Sequence, residues 1–461
     1  MTTWFERAVD PEAVVRELVQ THAAVTPVGS AGPAHTLDAG GARMIRLRAA
    51  EPEGHWTATY LVPLCGPGSQ ETVSVHGTLI PPEAGDPEFS VSTVPFGADG
   101  WQCWLPRCRV LLRTWSADEA LPALAIITDR QAGREVLQRL LRASSPQRRE
   151  LTLSSVTAAV ASYKPGVRVT VICDLGYERM PPPASWPPVV VAKAHGGEEA
   201  AAVFDAQRAL WTSPLRVSAV VAIAEPIGYD PDLGLTVQGH LAHERTLKEV
   251  LADDVHNGRQ TEGTRWIAAT ARGLAAVHTS GVVHGPRRTF DDELDSQRTK
   301  HDKLVAAVPW LADLTDGVAG RLQSADGASV ADPLASSHGS FRTAQVVLME
   351  KRVGIIDFDK LCLAEPASDI GPFLAKLRHT AVNKTEASRR PGVGALEQVD
   401  AIRADFLAAY GAAAPVSLDR VALWEALEHF SLVLGSAKKG LAERASSCAV
   451  MMLRHLDLHG I

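Results

Sequence analysis

Cysteine is scarce in this chain of 461 residues: Cys65, Cys103, Cys108, Cys173, Cys362 and Cys448 are scattered along it. Thiols at such spacings build no disulfide framework. The close pair, Cys103 and Cys108, has neither a second pair nor nearby histidines to complete a zinc site. A reduced, cytoplasmic protein is the simplest expectation. The chain also lacks any run of about 18 apolar residues, so no membrane-spanning helix is expected. Its opening, Met1-Thr2-Thr3-Trp4-Phe5-Glu6-Arg7, leads into mixed charge with no apolar core and does not read as a signal peptide. Nor is there an excess of positive charge: a net charge of -7 and a pI near 6.2 leave no basic footprint for nucleic acid.

What is present is ordinary globular chemistry, 46% hydrophobic and 21% charged, in a chain long enough for two or three packed units. Asp10-Pro11 followed by Val14, Val15, Leu18 and Val19 predicts a short leading helix. Strand patterns follow at 44–48, 56–64 and 72–80, with further short strands expected at 91–94 and 110–112 and a helix at 129–141. Residues 1–147 therefore read as a separate α+β unit.

The strand-turn-strand theme then repeats. A strand at 155–163, a tight turn at Lys164-Pro165-Gly166, a strand at 167–174 and the apolar run Val189-Val190-Val191-Ala192-Lys193 precede a helix at 198–211. Lys193 ends an otherwise apolar strand; such a lysine is commonly just solvated, or it can set an ammonium on phosphates. From 217 onward strands at 217–222 and 234–239 give way to helices at 247–252, 263–278, 290–308, 366–378, 396–410 and 418–458.

Within that helical portion lies Ser337-His338-Gly339-Ser340-Phe341-Arg342-Thr343-Ala344-Gln345-Val346-Val347-Leu348, and soon after it Gly354-Ile355-Ile356-Asp357-Phe358-Asp359. It reads as a polar loop, a strand, a turn at 349–352, and a second strand ending in two aspartates. Carboxylates at a strand end beside a hydrogen-bonding loop can hold a metal and a polar substrate. His240 with His243, and His455 with His459, have metal-pair spacing without a third ligand nearby in sequence, and are expected to be surface histidines.

His338, Gly339, Asp357 and Asp359 give the stretch a resemblance to the aminoglycoside phosphotransferase-like kinases, whose pattern is His-Gly-Asp, an Asn about five residues on, a hydrophobic strand and Ile-Asp-Phe/Trp-Asp/Glu. Two positions depart from it. Ser340 stands where the family has its catalytic Asp, and Gln345 where it has its metal-binding Asn. The resemblance implies an α+β, two-lobed protein-kinase-like fold with an extra N-terminal α+β unit: a small lobe at 148–215 and a mainly helical large lobe at 216–461. It implies ATP and Mg²⁺ as ligands and a hydroxyl as phosphate acceptor. Lys193 would contact the phosphates, with Glu198, Glu199 or Asp205 as its helix acid; Lys164 and Gly166 would belong to the turn over the phosphates. Asp357 and Gln345 would hold the metal, Asp369 would brace the loop, and His338 and Ser340 would sit in that loop.

A serine cannot accept a proton as an aspartate does. Either another acid, Asp359 or the Asp291-Asp292-Glu293 cluster, substitutes, or the substrate needs no base, or the protein is a pseudokinase. The expected function is an atypical ATP-dependent phosphotransferase acting on a small molecule or on Ser/Thr of a peptide, in the latter case ahead of a partner lyase in natural-product synthesis. The alternative is a catalytically impaired scaffold that binds a peptide, protein or nucleotide partner.

Overall fold

The computed structural model describes residues 3–23, 36–49, 56–66, 69–88, 101–114, 118, 120–164, 166–197, 199–257, 261–387, 395–439 and 441–461. The strand expected at 91–94, together with Pro165 and Glu198, lies outside them. The architecture is mixed α+β. Residues 1–201 with 227–237 form one compact unit, and 202–226 with 238–461 form the other.

The first unit contains two sheets. In the earlier one, Trp56–Gly66 and Ser69–Leu79 pair along their whole length, and Val110–Arg113 and Gln102–Leu105 extend the sheet beyond Ser69–Leu79. Alternation sends Ala58, Tyr60 and Val62 to one face, where Val14, Val15 and Leu18 of the helix Pro11–Ala23 cover them. Glu17 fastens that helix by accepting the backbone N–H groups of Arg107 and Cys108 at 2.7 and 2.8 Å.

The second sheet runs Pro226–Asp230, Leu235–Gly239, Val189–His195, Arg168–Tyr177 and Leu153–Lys164. Val169, Val171, Cys173, Val190, Ala192 and Ala194 alternate into its core. The helices Pro122–Thr128 and Arg130–Ser144 pack there too, the second started by Asp129, whose carboxylate accepts from Gln131 and Ala132 N–H. Lys193 does not end its strand, which continues through His195.

In the second unit the short strands Val221–Ala222, Val353–Ile355, Val346–Leu348 and Arg245–Thr246 form one sheet, and Ala335–Ser337 pairs with Cys362–Ala364. Thr261–His278, Phe290–Ala307, Ala367–Ala387, Ala395–Gly411, Leu418–Ala437 and Ala442–His459 are the main helices. The helical portion expected over 418–458 consists of two helices, Leu418–Ala437 and Ala442–His459. The expected strand at 217–222 is reduced to Val221–Ala222, because Pro214–Val217 turns as a 3₁₀ helix capped by Ser213. Gly371 lets two helices meet backbone to backbone: a Cβ there would lie 2.5 Å from the Glu425 nitrogen. Arg420 is buried at the start of Leu418–Ala437, where it grips Glu365 through Nε and Nη2 at 2.7 and 2.6 Å and Asp326 through Nη1 at 2.5 Å.

Candidate functional site

The loop after Ala335–Ser337 turns at Gly339, whose φ of +75° is costly for any other residue. A Cβ at Gly339 would stand 2.1 Å from the Lys360 carbonyl oxygen, so the loop needs this glycine twice over. Phe341 anchors the loop, stacking on Phe373 at 5.2 Å, which stacks on Phe406 at 4.9 Å. Full burial of such a ring stabilises by about 1.5–3 kcal/mol.

Asp369, in the first turn of Ala367–Ala387, holds the loop from below. It accepts the backbone N–H groups of His338 and Gly339 at 2.6 and 2.9 Å. Nε2 of His278 lies 3.1 Å from the same carboxylate, and Nδ1 of His278 lies 2.6 Å from the Tyr410 hydroxyl. Burial pushes the Tyr410 hydroxyl up, so it is a neutral donor to Nδ1, and His278 Nε2–H donates to Asp369. Burial opposes the Asp369 charge, but the His278 and His338 interactions outweigh it and hold the carboxyl below its usual value.

His338 is buried, 4.6 Å from the Phe358 ring, with Nε2 donating to the Ile356 carbonyl at 3.0 Å. Its Nδ1 is thereby left as an acceptor, 3.5 Å from the Ser340 hydroxyl. Gln345 Nε2 lies 3.5 Å from the same hydroxyl and donates to Asp357 at 3.1 Å. The other amide atom, Gln345 Oε1, is buried without a hydrogen-bond partner among the described residues. Asp357 stands two residues beyond the strand Val353–Ile355 with φ +71°, a left-handed backbone that non-glycine residues seldom adopt and that costs about 1–3 kcal/mol. An orphaned amide oxygen beside a carboxylate held on strained backbone suits a hard divalent cation, which takes oxygen ligands.

Four of the expected residues, His338, Ser340, Gln345 and Asp357, therefore converge in one unit. Lys164, Gly166 and Lys193 belong to the other. There Thr170 pairs with Lys193, and two positions along Arg168 pairs with both His195 and Lys164. The Lys193 side chain is buried, and the Thr236 hydroxyl donates to its carbonyl. The hairpin turn is tied to Asp118, which accepts from Tyr163 O–H and Gly166 N–H, both at 2.7 Å. Asp205 sits 3.8 Å from Arg208, and Glu199 is exposed.

A cavity of about 180 Å³ opens beside Ser340, walled by Arg288, Glu293, Lys376, Trp424 and Glu428. Arg288 pairs with Glu293 at 2.5 Å and donates to the Gly339 carbonyl at 3.0 Å; Lys376 pairs with Glu428 at 3.0 Å. Both carboxylates are penalised by burial. At Glu293 the Arg288 pair prevails and lowers the pKa, whereas at Glu428 burial prevails over Lys376 and raises it. The sequence reading missed His278, Tyr410, Arg288, Lys376 and Glu428. The last left a faint signal, an acid inside the apolar helical run Ala426-Leu427-Glu428-His429-Phe430. It also misjudged His455: this histidine is buried, because its helix packs that face on Leu418–Ala437, while His459 is exposed.

The family model of the phosphotransferase enzyme family (APH) matches residues 182–424, more than half of the chain. Solved structures similar to it include a glucosamine kinase in complex with glucosamine, ADP and inorganic phosphate, at 16% identity, covering 99% of this chain and 100% of that one with a TM-score of 0.46. A choline/ethanolamine kinase family protein from Mesorhizobium loti shows 16% identity over 70% of this chain and 98% of its own, TM-score 0.45. Choline kinase from Cryptosporidium parvum shows 12% identity over 71% and 97%, TM-score 0.46. No curated protein matches the sequence.

Proposed function

This chain belongs to the phosphotransferase enzyme family, and on that premise we propose that it is an atypical ATP-dependent phosphotransferase acting on a hydroxyl of a small molecule or of Ser/Thr in a peptide. The observation that carries the reading is Asp357 on left-handed backbone next to the unpartnered Gln345 Oε1. These two residues would hold Mg²⁺, which when bound neutralises charge on the transferring phosphoryl oxygens. Lys193 contacts the nucleotide phosphates, with Lys164 and Gly166 in the turn that covers them. We read 148–215 as the small lobe, 216–461 as the large lobe and 1–147 as the extension, whose helical stretch from 122 to 144 lies on the small-lobe sheet. A cytoplasmic location fits a chain in which no described helix is long and apolar enough to cross a membrane.

The acceptor occupies the cavity beside Ser340. His338, fixed by its bond to Ile356, offers Nδ1 to the Ser340 hydroxyl, which orients the acceptor as a neutral partner. The acceptor proton goes to a carboxylate in the cavity wall. Of the acids weighed from the sequence, Glu293 lines it, but its ion pair with Arg288 makes it a weak base; Glu428, raised by burial, is the better one.

The test is the thermal midpoint of the full chain with ATP, with Mg²⁺ and with both, compared with Asp357→Ala. A ligand at about 100 times its Kd stabilises by about 2.7 kcal/mol. Stabilisation that requires Mg²⁺ and vanishes in the variant supports the nucleotide site; no shift under any condition overturns it. Ser340 favours a second reading, a pseudokinase scaffold for a peptide or protein partner. Under that reading Ser340→Asp gains no phosphate transfer and Asp357→Ala still binds the partner.

A further inference from the structure

The helix Leu418–Ala437 turns a second face away from the cavity. Glu425 and His429, one helical turn apart, point there, and His455 of Ala442–His459 comes in from the side. All three side chains are at most 2% exposed. His429 Nε2 lies 4.0 Å and His455 Nδ1 3.9 Å from the same oxygen, Glu425 Oε1, and the three ligand atoms are all within 4.8 Å of one another.

These separations are too long for hydrogen bonds. His429 Nε2 and His455 Nδ1 are both buried with no hydrogen-bond partner among the described residues. The tautomer of His455 is fixed, since Nε2 sits 2.9 Å from the Ala422 carbonyl and can only donate to it. Nδ1 therefore carries a bare lone pair aimed at a carboxylate oxygen. His429 has its other nitrogen occupied as well, with Nδ1 3.2 Å from His379 Nε2, whose ring continues to Cys448 Sγ at 3.4 Å. Arg403 Nε takes the second Glu425 oxygen at 3.3 Å, which orients the carboxylate and leaves Oε1 to the imidazoles. The His455 Nδ1 lone pair and the Glu425 oxygen face one another across a dry gap, which is unfavourable unless a positive centre lies between them. Burial lowers the pKa of both imidazoles.

We propose that Glu425, His429 and His455 form a buried binding site for a divalent transition-metal ion, Zn²⁺ by its donor set of two imidazoles and one carboxylate. The separations of 4.0 and 3.9 Å exceed the roughly 3.3–3.4 Å between ligand atoms in a tetrahedral site with bonds of about 2.0–2.1 Å, so closure shortens each by at least about 0.5 Å. The Ala422 carbonyl and His379 then serve as the outer hydrogen-bond partners that metal-bound imidazoles ordinarily have. The ion would clamp the last helix of the chain onto the helix that walls the cavity. Its position is separate from Gln345 and Asp357, which offer oxygens only.

The full chain, stripped with a chelator and desalted, is titrated with Zn²⁺ against a chromophoric competitor and, separately, with Co²⁺. One Zn²⁺ per chain is expected in the wild type and in Asp357→Ala. Affinity should fall about 100-fold or more in Glu425→Gln and in His455→Asn, with the far-UV dichroism of each variant checked. Co²⁺ should give the intense visible bands of a four- or five-coordinate site. No Zn²⁺ binding in the wild type, binding unchanged in both variants, or a Co²⁺ spectrum like that of the free ion would overturn the proposal. The Co²⁺ spectrum needs no variant, so it decides even if a substitution unfolds the chain.

Discussion

Replacing Asp369 by asparagine should loosen the loop that presents Ser340. The carboxylate takes three hydrogen bonds, from His338 N–H, Gly339 N–H and His278 Nε2–H. An asparagine oxygen can keep the two on Oδ2, but its NH₂ group then faces the Gly339 N–H, leaving a buried donor unsatisfied at about 1–3 kcal/mol. The two remaining bonds lose their charge assistance, about 1 kcal/mol each. The expected loss is about 3–5 kcal/mol, a large part of the 5–15 kcal/mol typical of folded domains. Urea denaturation at pH 7, followed by the first transition, measures it. The difference is pH-dependent: because the folded carboxyl lies below its usual value, its stabilisation is complete above about pH 4 and fades as pH falls through the lower folded value. Wild type and variant should therefore converge in acid. A loss under about 1 kcal/mol at pH 7, or a gap that widens on acidification, would refute this account of Asp369.

Gly339→Ala should cost at least about 1–2 kcal/mol from its φ alone, plus the collision with Lys360, and should lower transfer activity more than nucleotide binding, read as activity against the ATP-dependent thermal shift. If Glu428 is the proton acceptor, Glu428→Gln should lower kcat by about 10²–10⁴-fold while Glu293→Gln lowers it less; a reversed order in steady-state assays would reassign the base. Arg420→Ala leaves the buried Glu365 without its bidentate partner and should cost about 3–5 kcal/mol in the same denaturation experiment, while Arg420→Met costs less.

Much of the site was legible because its signals are local. Strand periodicity located Val346–Leu348 and Val353–Ile355, while the metal role expected of Asp357 came from the family pattern that the stretch resembles. The bracing of the loop by Asp369, which the resemblance implied, joins residues about 30 positions apart, His338 and Gly339 with Asp369. What stayed hidden is non-local or depends on packing. His278 and Tyr410 meet across 132 positions, and Arg420 reaches Glu365 across 55. His455 was misread because a lone histidine in a helix carries no mark of which face is covered.

Gly371 has a consequence for how this fold can be redesigned. It lies two residues past Asp369, on the turn that fixes the loop, and touches the backbone of the helix that carries Trp424 and Glu428. A designer who wants a wider acceptor cavity can trade side chains along that helix. Moving the helix itself is a different matter, because it packs backbone to backbone on Gly371, where even a Cβ would collide with Glu425. The triplet Asp369-Ile370-Gly371 acts as a ruler set into the protein: one end fixes the height of the loop, the other the distance to the opposing wall. Substrate range in this scaffold should therefore change by repainting the wall, while its position stays constant.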